Sequence, residues 1–119
     1  MAAGQWNTQI EQGATWSHEL VWTDSESNPV DLTGYAARMS IRKLVGRELS
    51  VHLSTENGHI VIDGASGKIT LALSAEDTAQ IPAVPHVYDL ELVAPDGQVV
   101  RLLKGKIEVD EEQTEDGDA

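Results

Sequence analysis

Along residues 35–41 apolar and polar side chains alternate with a period of two. Tyr35, Ala37, Met39 and Ile41 share one phase, and Ala36, Arg38, Ser40 and Arg42 share the other. Successive side chains of a strand point to opposite faces, so this predicts a strand with one buried and one wet side. Its lead-in, Val30-Asp31-Leu32-Thr33-Gly34, reads as a turn: Asp31 and Thr33 can bond nearby backbone N–H groups, and Gly34 accepts a positive φ. A second clear alternation covers residues 15–23. Trp16, His18, Leu20 and Trp22 form one phase, and Thr15, Ser17, Glu19 and Val21 the other. These two strands, joined across the polar loop Asp24–Pro29, are expected to lie side by side.

Further alternating runs predict strands at Trp6–Ile10, Leu49–Leu53, Ile60–Ile62, Ile69–Leu73, His86–Val93 and Val99–Val109. Gly105 in the last is expected to mark a bulge or a close approach of backbone. Asn57-Gly58 is a strong short hairpin signal. Ala94-Pro95-Asp96-Gly97 places Pro and Gly where a tight turn uses them. Ser74-Ala75-Glu76-Asp77 breaks the rhythm. Ser74 suits an N-cap and Asp77 the return bond of a capping box, so one or two helical turns end at Pro82. Many short strands, tight turns and one short helix predict an antiparallel β-sandwich of roughly seven to nine strands, with a closed barrel as the rival. The expected organisation is an arm at residues 1–5, a domain at 6–109 and an acidic tail at 110–119.

Composition narrows the function. The 119 residues include no Cys and no Phe, so a disulfide frame, a thiolate metal site and a Cys nucleophile are excluded. Residues 1–6 carry no basic or apolar run of a leader, and no apolar stretch is long enough to span a membrane. The net charge of −12, from 20 acidic and 8 basic residues, argues against nucleic-acid and anionic-membrane partners.

Candidate chemistry is sparse. His18, His52, His59 and His86 lack the close spacing of a metal site. Asp89 and Glu91 share a strand face but read as a solvated pair. Asp24-Ser25-Glu26 and Asp110-Glu111-Glu112 do not match a compact calcium loop. No phosphate loop or nucleophile elbow occurs. The chain is therefore expected to be non-enzymatic, with no catalytic residues, metal or cofactor. Trp6, Trp16 and Trp22 are either core, subunit interface or a platform for sugar. Arg38 and Arg42, with Lys43 and Arg47, form a basic cluster suited to an acidic segment of a neighbour.

The ordered set Ile10-Glu11-Gln12-Gly13-Ala14-Thr15, Pro29–Arg42, Gly67-Lys68-Ile69-Thr70-Leu71, Val87–Leu92 and Pro95-Asp96-Gly97 resembles small bacteriophage and prophage virion proteins. It is similar above all to the N-terminal domain of lactococcal phage upper baseplate proteins. The resemblance implies an Ig-like β-sandwich that serves as an adaptor or attachment module of a tail, baseplate or fibre apparatus. It implies other virion proteins as partners, homo-oligomerisation, and location in a particle assembled in the host cytoplasm. Residues 1–119 include no long coiled segment such as follows this domain in upper baseplate proteins, so a small adaptor, tail or capsid-decorating component is expected over a direct receptor-holding role. A head decoration or head-fibre role is the alternative within structure, and a glycan-binding module the alternative outside it. The contact residues expected are Arg38, Arg42, Trp6, Trp16 and Trp22.

Overall fold

The computed structural model describes residues 4–112. Nine strands and one helix follow in the order β1 (Gly4–Gln5), β2 (Thr8–Glu11), β3 (Trp16–Val21), β4 (Ala36–Lys43), β5 (Leu49–Ser54), β6 (Ile60–Asp63), β7 (Lys68–Leu73), α1 (Ala75–Ala79), β8 (His86–Val93) and β9 (Val99–Asp110). The chain is all-β apart from α1. A six-stranded sheet has the order β1-β9-β8-β4-β5, with β2 also on β9, and a three-stranded sheet has the order β3-β7-β6. The two remain separate rather than closing into one barrel.

The alternation in each strand builds the core between the sheets. Ala37, Met39, Ile41, Leu53, Leu90 and Leu92 point inward from the large sheet, and Trp16, Ile60, Ile69, Leu71 and Leu73 from the small one. Leu32 and Ile81, from connecting segments, fill the ends and are buried as completely as any strand residue. Apolar area removed from water is the main stabilising term here. With no Phe in the chain, branched aliphatics supply nearly all of it.

Three expectations are corrected. First, β3 and β4 are not neighbours in one sheet. β3 pairs with β7 and β4 with β5 and β8. After the single bridge Thr23–Pro29 the chain crosses between layers. Val30 donates its N–H to the Trp22 carbonyl at 2.9 Å, and Leu32 donates to Gly64 at 2.8 Å. Second, Asn57-Gly58 does not close a hairpin. β5 lies in the large sheet and β6 in the small one, so the turn carries the chain across. The Asn57 side chain holds it by accepting from the N–H groups of Ser54 and His59 and donating to the His52 carbonyl. A turn signal specifies reversal, not which sheet the next strand joins.

Third, pairing is not antiparallel throughout. β1 and β2 run parallel to β9, Gly4 opposite Leu103 and Thr8 opposite Ile107. Of the expected Trp6–Ile10 strand only Thr8–Ile10 is strand, within β2; Trp6 and Asn7 form the break between β1 and β2. Gly4 and Gln5, expected in an arm, are already on the sheet edge. The break faces Gly105, where an added Cβ would stand 2.0 Å from the Trp6 carbonyl oxygen. Any side chain there collides with backbone, so Gly105 is the close-approach glycine that its place in a strand predicts.

The capping box forms as expected. The Ser74 Oγ accepts from the Asp77 N–H at 3.1 Å, and the Asp77 carboxylate accepts from the Ser74 N–H at 2.9 Å. These bonds hold the Asp77 carboxyl below the usual carboxylate range. Thr78, fully buried, donates to the Ala14 carbonyl at 2.9 Å and ties α1 across to the turn before β3.

Candidate functional site: the outer face of the six-stranded sheet

The wet phases of β4, β8 and β9 line up in rows. Arg42, Val87 and Lys106 form one row; Ser40, Asp89 and Lys104 the next; Arg38, Glu91 and Arg101 the third. With Arg47 from the turn after β4, six of the chain's eight Lys and Arg residues stand on this face. A groove of about 490 Å³ lies among them, lined by Arg42, Arg47, Asp89, Arg101, Lys104 and Lys106 with Gln5 at its β1 side.

Two strand irregularities create this arrangement. Between Leu90 and Glu91 the register on β9 skips Leu102, so Arg101 faces outward together with Lys104. Strict alternation would put residues 101 and 104 on opposite faces. Between Ile41 and Arg42 the register on β5 skips Ser50. Leu49 then faces solvent beside Arg42, although its phase predicts burial. Ser50 turns to His86, its Oγ 2.7 Å from Nε2, while His86 Nδ1 lies 2.7 Å from the Val84 carbonyl oxygen. Both nitrogens of this buried imidazole are therefore occupied.

The charges divide into two zones. In the third row Arg38 Nε meets Glu91 at 2.9 Å, and Arg101 spans Asp89 at 3.5 Å and Glu91 at 4.0 Å. Here cation and carboxylate compensate. Towards the other end Arg42 donates only to the Arg47 carbonyl, at 3.0 Å. Among the described residues, Arg42, Arg47, Lys104 and Lys106 make no ion pair. The result is a positive field at one end of a strongly acidic chain.

Of the basic cluster expected from the sequence, Arg38, Arg42 and Arg47 come together here. Lys43 does not: it lies in the opposite phase of β4 and faces Glu48 at 3.9 Å. Arg101, Lys104 and Lys106 are additions that sequence reasoning missed. The two-residue spacing of Lys104 and Lys106 across Gly105 is the available signal.

The three tryptophans do not form one surface. Trp16 is core, 5% exposed, and its Nε1 has no hydrogen-bond partner among the described residues. Trp6 is half-buried. The His18 ring lies edge-on between Trp6 and Trp16, with centroid distances of 4.9 and 5.0 Å. Burial lowers the His18 pKa from its ordinary 6.5. Tyr88 donates its hydroxyl to the Trp6 carbonyl at 2.5 Å, and burial pushes its pKa up to about 12. Trp22 lies apart, lining an apolar cleft of 190 Å³ with Leu20, Val21, Leu102 and Leu103.

No protein-family model and no curated protein matches this chain. Among the described residues no group of three or more His, Asp or Glu side chains is placed to hold a metal ion, and no helix is long and apolar enough to cross a membrane.

Proposed function

We propose that this chain is a non-enzymatic structural module of a bacteriophage particle, built as an Ig-like β-sandwich. It is an adaptor of the tail, baseplate or fibre apparatus that works through protein–protein contacts. The observation that carries the reading is where the resembling sequence pieces fall. Asp31 accepts from the Thr33 N–H at 3.0 Å and from its hydroxyl at 2.6 Å. A Cβ on Gly34 would stand 2.9 Å from Pro95, and one on Gly67 2.7 Å from the Val30 carbonyl oxygen. The Val-Asp-Leu-Thr-Gly turn, the Gly67 strand entry and the Pro-Asp-Gly turn thus interlock at one corner. They are framework, and they support a shared scaffold rather than a shared reaction.

On such a scaffold, function belongs to the surface that differs most from the rest. That surface is the cationic outer face of the six-stranded sheet. Arg38 and Arg42 keep their proposed contact role there. Trp6 stands at the break between β1 and β2, held to the same sheet by its N–H to the Lys104 carbonyl and by the Tyr88 hydroxyl on its own carbonyl, whereas Trp16 is core and leaves the contact role. The experiment is mass spectrometry and immunogold labelling of purified particles of the phage or prophage that encodes the chain. A fixed copy number with label at the tail supports the adaptor role. Label on the capsid surface replaces it with head decoration. Absence from intact particles overturns both.

A further inference from the structure

We propose that the groove between β4 and β9 receives the acidic segment 110–119 of a second copy of this chain. The inference rests on the reading of this face as a contact surface and names its occupant. The charge match is the first argument. Segment 110–119, Asp-Glu-Glu-Gln-Thr-Glu-Asp-Gly-Asp-Ala, holds six carboxylates and no cation. The groove end offers Arg42, Arg47, Lys104 and Lys106 without a carboxylate of their own within ion-pair distance among the described residues. Such opposed patches steer association and fix its register.

Reach is the second argument, and it selects a second copy over the same chain. Through residue 112 the backbone does not fold back. Gln12 donates its N–H to the Asp110 carbonyl at 3.0 Å, and Glu112 donates its N–H to the Gln12 side chain at 3.1 Å. The parallel ladder with β2 therefore carries residues 110–112 onward, away from the groove. At ~3.3 Å per residue, Glu112 lies ~20 Å beyond Lys106 along the strand. Residues 113–119, fully extended, span at most ~25 Å. A return within one chain brings at most one or two carboxylates back to the row of Lys106, and only at full extension. From a neighbouring copy residues 113–119, which carry Glu115, Asp116 and Asp118, are long enough to lie along the groove.

The test uses the full chain, unlabelled and ¹⁵N-labelled in equal amounts, coupled with a zero-length carbodiimide. This reagent condenses a Lys amine with an Asp or Glu carboxylate and releases water into the urea by-product. The expected result is amide links from Lys104 and Lys106 to Glu112, Glu115, Asp116 or Asp118, with mixed-isotope pairs present. Arg42→Glu with Arg47→Glu lowers their yield at least about tenfold, and Lys68→Glu, on the other sheet, leaves it unchanged. Sedimentation velocity at low salt supplies a readout independent of the groove's folding. Glu115→Gln, Asp116→Asn and Asp118→Asn together, all outside the described fold, abolish concentration-dependent self-association. Links confined to one isotope, links only to other carboxylates, no links, or self-association undiminished by the segment variant would each overturn the proposal. None of these outcomes depends on where the chain sits in a particle.

Discussion

The two sheets share one core but present opposite outer faces. The three-stranded sheet presents Ser17, Glu19, Val21, Val61, Asp63 and Thr70 to water, with one ion pair, Lys68 to Glu19 at 3.0 Å. The six-stranded sheet presents six cations, four of them without an ion pair among the described residues, together with Asp89 and Glu91 and, further along β9 and β2, Glu108, Asp110 and Glu11. Both sheets bury aliphatic side chains in the same manner, so packing does not account for the difference. A face that only needs solubility can mix its charges, as the small sheet does. Gathering most of the cations of an acidic chain on one face creates a field, which is what a contact surface requires. Under the proposed function the small sheet is support and the large sheet the working surface.

The comparison can be broken most directly at the support. Leu71 is fully buried on the middle strand of the small sheet. Leu71→Ala is expected to destabilise by about 3–4 kcal/mol, the transfer loss plus an unfilled cavity, read from the denaturant midpoint. The large sheet should then unfold in the same transition; a separate transition for it would show that the two are not one cooperative unit. Next comes Gly105→Ala. The contact at 2.0 Å is with backbone, so it is expected to cost about 2–3 kcal/mol. Hydrogen exchange should quicken first at Trp6 and Lys106, whose N–H groups donate to Lys104 and Asn7. Unchanged protection there would mean that the edge segment relaxes without detaching.

Much of this architecture was legible in the chain because a half-buried strand must alternate. Met39, Ile41, Leu90 and Leu92 are buried where the pattern puts them. The capping box at Ser74 was legible because its two bonds are local. Sheet membership was not. Whether the strand after a turn joins the same layer depends on packing far away in sequence, and Asn57-Gly58 carries no such information. The working face was half legible for a related reason. Arg38 and Arg42 obey alternation within one strand. Arg101 joins Lys104 only because Leu102 is skipped, and a one-residue slip reverses every side chain beyond it. Parallel pairing of β1 and β2 with β9 left no local signal at all.

A smaller effect separates the interior of the molecule from its surfaces. The lowered His18 pKa means that the folded protein favours the neutral ring. Between that value and the ordinary 6.5 the unfolded chain binds more protons, so stability rises with pH through this window and is lost as pH falls through it. Denaturant midpoints compared at about pH 5 and pH 7.5 should show this slope, and His18→Phe should flatten it while keeping the edge-on packing against Trp6 and Trp16. A slope that survives the substitution would point to the remaining histidines instead. The smallest effect belongs to the small sheet's outer face. Lys68→Ala removes its ion pair with Glu19, both exposed, and no measurable shift of the midpoint is expected. A clear loss there would undo the division into support and working surface.

The parallel pairing of β1 and β2 with β9 also sets an order of events during synthesis. Thr8 pairs with Ile107, so its partner is made nearly a hundred residues later. At about 5–20 residues per second, the first strands wait roughly 5–20 s beside the ribosome before the edge they complete exists. The groove depends on the same late strand, since Arg101, Lys104 and Lys106 all come from β9. A nascent chain therefore carries no finished cationic face. If chains dock through this face as proposed, neighbouring copies on one messenger can do so only after each has laid down its last strand, so that association follows folding.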